Sequence, residues 1–260
     1  MAYEFVKVDR DGPITTVTLN RPEVMNALHR DAHFELDTVF NDFAADASQW
    51  VAIVTGAGER AFSAGNDLKH QANGGRMGSP PSGFAGLTNR FDLTKPVIAA
   101  VNGVAMGGGF EIALACDLII ASENAIFALP EPRVGLAALA GGLHRLPRQI
   151  GLKRAMGMIL TARRVSAQEG LQLGFVNEVV APGELMPAAK RWADLIAECS
   201  PMSIRASKQA VLKGLDERSV EAALNGQAKY DAVAALYGSE DFKEGPKAFA
   251  ERRPPQWKGR

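Results

Sequence analysis

An α/β fold with parallel strand pairing is predicted by the order in which two hydrophobic patterns alternate along the chain. Val51-Ala52-Ile53-Val54-Thr55 and Val97-Ile98-Ala99-Ala100-Val101 are short apolar runs without a polar face, as strands buried on both sides require. Each is followed by a strand or loop and then by a helical pattern, a repetition that parallel neighbours joined by crossovers produce. The 260-residue length suits one large domain, or a domain with a small appendage, and can bury a sizeable core.

The elements follow in order. Phe5-Val6-Lys7-Val8 and Ile14-Thr15-Thr16-Val17-Thr18-Leu19 read as strands around an Asp11-Gly12-Pro13 turn. Residues 28–45 are helical, with Phe34, Leu36, Val39, Phe40 and Phe43 on the apolar face. The strand at 51–55 runs into a Gly-rich loop at 56–69, and residues 71–83 read as a mobile surface loop. The strand at 97–101 precedes a helix opened by Gly107-Gly108-Gly109. Residues 117–121 and 125–128 are again strands. From about Leu143 the chain is mostly helical, apart from a strand at 175–180, and Pro182 and Pro201 punctuate the helices. A soft division near residue 200 separates a core, 1–200, from a helical region, 201–260, within what is effectively one domain.

Composition excludes several function classes. Lys+Arg and Asp+Glu are both 29, so no basic excess points to nucleic acid or a membrane surface. Residues 97–121 are apolar, but Asn102, Glu111, Asp117 and the glycines argue against a membrane span. Cys116 and Cys199 have no CxxC spacing and read as two buried thiols of a reducing compartment. The first residues show no basic segment followed by an apolar run, so a cytoplasmic protein is expected.

Familiar motifs fail. Gly56-Ala57-Gly58-Glu59-Arg60-Ala61 fits GxGxxA after a strand, but no helix continues it and no acid stands about 20 residues on. GxxxxGK[ST] and GxSxG are absent. His29 and His33 are one helical turn apart but lack a third ligand, so no metal is expected, and surface or half-buried histidines are the reading.

The stretch Val104-Ala105-Met106-Gly107-Gly108-Gly109-Phe110-Glu111 is the informative one. A helix N-terminus presents unpartnered N–H groups, and glycines let another molecule's atoms approach them. The glycines therefore serve either an oxyanion or tight helix–strand packing, and the local sequence does not choose. Glu111 among Phe110, Ile112, Ala113 and Leu114 is either a helix-dipole acid or a half-buried acid–base group of raised pKa. Glu131, between Pro130 and Pro132, sits at a rigid corner and by itself reads as a solvated loop acid.

Almost end to end the sequence resembles the enoyl-CoA hydratase (crotonase) superfamily. The likeness is carried by Leu19-Asn20-Arg21-Pro22 with Asn26-Ala27-Leu28, Ala61-Phe62-Ser63-Ala64-Gly65-Asn66-Asp67-Leu68-Lys69 and Lys95-Pro96-Val97-Ile98-Ala99-Ala100-Val101-Asn102-Gly103. The GGGFE stretch, Leu129-Pro130-Glu131, Gly141-Gly142, Glu244-Gly245 and Ala248-Phe249 complete it. The resemblance implies a spiral of ββα units followed by helices that drive trimerisation, with trimers able to pair into hexamers. It implies an acyl-CoA thioester as substrate and no metal or redox cofactor.

By position, the resemblance makes the N–H groups of Asn66 and Gly108 the oxyanion hole, and Glu111 and Glu131 the catalytic pair of a hydratase. Ala64, Asp67, Leu68 and Lys69 would meet CoA, as would Phe249 and Arg252, in some members from a neighbouring subunit. The implied activity is hydration of 2-enoyl-CoA or its reverse. The alternatives are a carnitinyl-CoA dehydratase-like enzyme, a Δ3,Δ2-enoyl-CoA isomerase and, outside enzymes, an RNA-binding member. The acidic residues of 28–45 (Asp31, Glu35, Asp37, Asp42) speak against RNA binding. Three departures stand out. Leu139 replaces a glycine near the catalytic water and is expected to narrow or reshape the pocket, or to displace a backbone contact to the water. Asn66 replaces a common alanine, which a backbone donor tolerates, and Glu23 stands where several members are basic.

Overall fold

The computed structural model describes residues 3–260. Strands β1 (Val6–Asp11) and β2 (Ile14–Leu19) form an antiparallel hairpin. Helix α1 (Arg30–Ala45) starts two residues later than expected, because His29 caps it: its Nδ1 accepts the Ala32 N–H at 3.2 Å. Leu28 instead makes an isolated parallel bridge with Asn66. Leu36, Val39, Phe40 and Phe43 are buried as the periodicity requires. Phe34 is not; it is 38% exposed, with the Arg30 guanidinium over its ring at 4.5 Å.

Three ββα units follow. Strands β3 (Val51–Gly56) and β4 (Ala61–Ser63) lead to the short helix α2 (Leu68–Ala72). Strands β5 (Val97–Val101) and β6 (Val104–Met106) lead to α3 (Gly108–Ala115). Strands β7 (Leu118–Ser122) and β8 (Ile126–Ala128) lead through a 3-10 turn, Glu131–Val134, to α4 (Gly142–Ile150). Beyond them lie α5 (Leu152–Thr161), β9 (Val165–Ser166), α6 (Ala167–Leu173), β10 (Glu178–Val180) and α7 (Leu185–Ala197). Among the described residues the chain ends in α8 (Pro201–Gly214), α9 (Val220–Gly226), α10 (Asp231–Gly238) and α11 (Glu240–Glu251).

Each unit sends its first strand to one sheet and its second to another. The larger sheet runs β1-β2-β3-β5-β7-β10 and the smaller β4-β6-β8-β9. All pairings are parallel except β1 with β2 and β8 with β9. The GxGxxA run therefore opens a strand rather than a helix, and the expected loop at 56–69 contains β4 and the start of α2. Both β4 and β6 are three residues long, too short to show a period. Residues 73–83 carry turns and no helix or strand, and the strand expected at 175–180 is confined to Glu178–Val180.

The sheets enclose one apolar cluster with α1 and α3, in which Phe110, Phe127 and Phe175 meet with ring centroids 5.1–5.2 Å apart. These three rings anchor α3. A second cluster joins Ile53, Ile98 and Ile120, on the other face of the larger sheet, to Leu185, Ala188, Ala189 and Ala193 of α7. Successive turns of the spiral are tied by Asn102, at the β5–β6 corner. Its amide Nδ2 donates to the carbonyls of Gly56 (3.0 Å) and Gly58 (2.7 Å), and its Oδ1 accepts the Gly56 N–H at 3.3 Å.

The last helices pack mainly on one another and are fastened to the core by Lys208. Its ammonium donates to Asp117 (2.7 Å) and to the Lys95 carbonyl (2.9 Å). Val211, Leu212, Leu215, Val220 and Leu224 of this region are exposed. Cys116 is buried but Cys199 is exposed, so only one thiol matches the expected pair. Among the described residues no helix is long and apolar enough to cross a membrane.

Candidate active site

The small sheet assembles the site. Its register pairs Ser63 with Ala105 and Met106 with Ala128, so three parallel strands end side by side. The chain leaving β4 reaches Asn66, the chain leaving β6 opens α3, and the chain leaving β8 reaches Glu131. Ligand sites of parallel sheets form at these carboxyl ends.

Gly107 has φ +54, and a Cβ on it would stand 2.8 Å from Glu131 Oε1, so both backbone conformation and the carboxylate exclude a side chain. A Cβ on Gly109 would collide with the Ser63 carbonyl oxygen, and one on Gly108 would stand 2.5 Å from Phe84 Cζ. Tight packing and an open backbone thus occur together, one after another along the same turn. Gly107 N–H donates to the Ala128 carbonyl at 2.9 Å. Among the described residues, the N–H groups of Gly108 and Asn66 have no paired acceptor. The Leu28 bridge explains the second case: it uses Leu28 N–H on Gly65 O and Asp67 N–H on Leu28 O, both 2.8 Å, and leaves Asn66 N–H out. Gly65 lies so close to α3 that a Cβ there would stand 2.8 Å from Gly108 N.

Glu111 is 4% exposed. Its Oε1 accepts the Gly142 N–H at 2.8 Å, and the Ala140 N–H nearby also favours the charged carboxylate. Burial pushes its carboxyl up to about 7; the Glu131 charge adds to this, while the two N–H groups and Arg145 oppose it. Glu131 opens the 3-10 turn behind Pro130. Burial raises its carboxyl too, and Oε2 is buried with no hydrogen-bond partner among the described residues. The corner that reads locally as a solvated acid is half-buried because β8 ends beside β6.

Other expected residues are placed less simply. Leu139 is 78% exposed, so its bulk does not fill the space beside the glutamates, contrary to expectation; Ala138 and Gly142 are the buried residues of 137–142, and the Gly142 N–H holds Glu111. Asp67 caps α2, accepting the His70 N–H and the Arg21 guanidinium, each at 3.0 Å. Burial opposes its ionisation, yet these two donors hold its carboxyl below the usual range. Its carboxylate shapes the segment from within, while Ala64 is half-buried and Leu68 and Lys69 are exposed. Phe249 is 87% exposed and Arg252 exposed. They lie on and after α11, whose main contacts are α8 and α10. Glu23 is exposed in a 3-10 turn.

His29 and His33 are both engaged with backbone. His33 is fully buried, where a surface or half-buried ring was expected, and its Nδ1 accepts the Ala85 N–H at 3.0 Å. Among the described residues no group of three or more His, Cys, Asp or Glu stands together as a metal site would require. The sequence reasoning missed Phe84 and the N–H groups of Ala140 and Gly142. Only the Gly141-Gly142 pair signalled the latter.

The enoyl-CoA hydratase/isomerase family model matches residues 9–260. The chain belongs to the enoyl-CoA hydratase/isomerase family. Among its relatives are carnitinyl-CoA dehydratases of Salmonella typhi and Salmonella agona, each 45% identical over 99% of this chain and 99% of the relative. Among solved structures, an enoyl-CoA hydratase from Mycobacterium tuberculosis H37Rv superposes with TM-score 0.92 at 38% identity, covering 98% of this chain and 99% of the other. One from Bacillus anthracis gives 0.89 at 36% identity, covering 99% and 100%. The crotonase spiral is thus the fold of this enoyl-CoA hydratase/isomerase family member, and the family implies acyl-CoA thioesters as its substrate class.

Proposed function

We propose that the protein is a hydro-lyase that interconverts 2-enoyl-CoA and 3-hydroxyacyl-CoA thioesters. The observation that carries this is the pairing of a buried and a half-buried carboxyl, both raised, with two unpartnered N–H groups at the ends of β4, β6 and β8. In the hydration direction, Glu111 and Glu131 hold one water. The water oxygen bonds to the β-carbon as Glu111 takes its proton. The π electrons shift onto the thioester oxygen, which Asn66 N–H and Gly108 N–H stabilise as an enolate. Collapse of the enolate takes the Glu131 proton at the α-carbon. Raised, neighbouring carboxyls suit this exchange, since one must start protonated and the other ionised. Only protons and water move, so the steps call on no redox cofactor.

Ala64, Leu68 and Lys69 receive the CoA portion, on a segment that Asp67 shapes. Phe249 and Arg252 reach it from a neighbouring subunit of a homotrimer or dimer of trimers, an assembly that the exposed apolar residues of α8 and α9 support. The acyl group of a carnitinyl-CoA dehydratase is the second reading, favoured by the 45% identity to enzymes of that name. An isomerase needs one proton shuttle, whereas here the Gly142 N–H holds a second carboxylate in place.

The test is loss of enoyl-thioester absorbance across a panel that includes crotonyl-CoA and crotonobetainyl-CoA, with products separated by chromatography. Hydrated product from the wild type, with turnover lost in Glu111→Gln and Glu131→Gln, is the expected result. Unchanged turnover in both variants, or a shifted double bond without added water, overturns the reading.

A further inference from the structure

Among the buried titratable side chains that the mechanism leaves unused is His33. His33 lies on α1, 3% exposed, and its ring packs on Phe84 with centroids 4.3 Å apart. Phe84 begins a tight 3-10 turn, Phe84–Gly86, in which Ala85 takes left-handed dihedrals (φ 55, ψ 22), disfavoured for a residue with a Cβ. The turn's own atoms answer most of its donors: Phe84 N–H bonds Thr88 Oγ1 at 2.9 Å, Gly86 N–H the Gly83 carbonyl at 3.0 Å and Leu87 N–H the Phe84 carbonyl at 3.1 Å. Ala85 N–H is answered from another element, by Nδ1 of His33 at 3.0 Å. Such an acceptor must be neutral, with its proton on Nε2. Burial, helped by the His29 charge, pushes His33 down to about 4 and keeps it so.

The far end of the Phe84 ring rests on α3. A Cβ on Gly108 would stand 2.5, 2.6 and 3.1 Å from Cζ, Cε1 and Cε2. The imidazole thus holds the strained turn, the turn holds the ring, and the ring bounds the backbone whose N–H faces the thioester oxygen. We propose that His33 is a positioning residue for the oxyanion donor at Gly108, acting through the Phe84 ring. The proposal rests on the functional reading above and adds to it a residue on an element that contributes nothing else to the site.

The test is a double-mutant cycle with His33→Leu, which keeps bulk but removes the acceptor, and Phe84→Ala. His33→Asn, which retains an acceptor oxygen, is the rescue. Losing an oxyanion donor outright costs about 10²–10³ in kcat, so displacing one partly is expected to cost about tenfold in His33→Leu, with KM changed less than about twofold. His33→Asn recovers most of that loss, and in the Phe84→Ala background His33→Leu costs under about twofold. The second readout needs no turnover: a bound arylacryloyl-CoA thioester, whose absorbance moves to the red as its carbonyl is polarised, shifts less in His33→Leu than in wild type. Wild-type kcat and red shift in a His33→Leu protein of lowered Tm overturn the proposal, as does the same tenfold loss in both backgrounds. Should leucine prevent folding, His33→Met takes its place in the cycle. A wild type that hydrates no enoyl-CoA and polarises no thioester instead overturns the functional reading, a separate result.

Discussion

The opening of α3 and the helices after residue 200 are opposite ways of using apolar residues. From Gly108 to Leu114 every residue of α3 is buried. In α9 none is, in α10 only Val233, and in α8 only Pro201 and Ala206. The first region draws its order from the chain's own sheets, and the site stands there because precise placement of N–H and carboxyl groups needs neighbours that do not move. The second exposes Val211, Leu212, Leu215, Val220 and Leu224 to solvent, the surface that the proposed assembly would cover.

Four experiments test the contrast. Glu111→Gln removes chemistry from the rigid region while keeping an oxygen for Gly142 N–H; kcat is expected to fall about 10²–10⁴-fold, in the range of acid–base groups, with the fold intact by circular dichroism. Gly109→Ala drives a methyl group into the Ser63 carbonyl and is expected to cost about 2–4 kcal/mol in urea unfolding. The equivalent change in the outer helices, Gly226→Ala, meets only the Tyr230 hydroxyl at 3.8 Å and is expected to stabilise by about 0.5–1 kcal/mol. Equal costs at the two glycines would erase the distinction.

The third experiment puts Leu215→Lys and Leu224→Lys into one chain. Light scattering is expected to show a single-chain mass, with secondary structure retained. An unchanged mass removes this surface from assembly. The fourth concerns pH. Glu111 unfolded ionises near 4.5, but folded it holds its proton to about 7. Between those values the folded state binds more protons, so this group's contribution to stability falls as pH rises through the window and stays low above it. Glu111→Gln removes the penalty and is expected to raise stability by about 1–3 kcal/mol at pH 8 and hardly at pH 4, read from unfolding curves. A gain equal at both pH values would show that the carboxyl is not the source.

Long, strongly patterned elements are legible in the sequence itself. Val51–Gly56 and Val97–Val101 need only an unbroken apolar run, and the buried face of α1 only hydrophobic periodicity. What positions the site is not legible by that route, since β4 and β6 are three residues each and show no period. Local reading therefore cannot choose between packing and oxyanion roles for the glycines, nor place Glu131 beside Glu111. Resemblance to a family names the pair, and the register of β6 with β8 gives the physical reason. Individual side-chain directions are beyond both routes: on α1 Phe34 lies under Arg30, and Leu139 is open to solvent instead of crowding the carboxyls.

Asn102 has a consequence for how the molecule comes apart. Because one amide side chain bonds Gly56 and Gly58 from the following turn, a turn cannot be peeled away without breaking bonds of its neighbour. Amide protons of β3 and β5 should therefore exchange with solvent deuterium in one shared event, at a common rate, and not in steps along the chain.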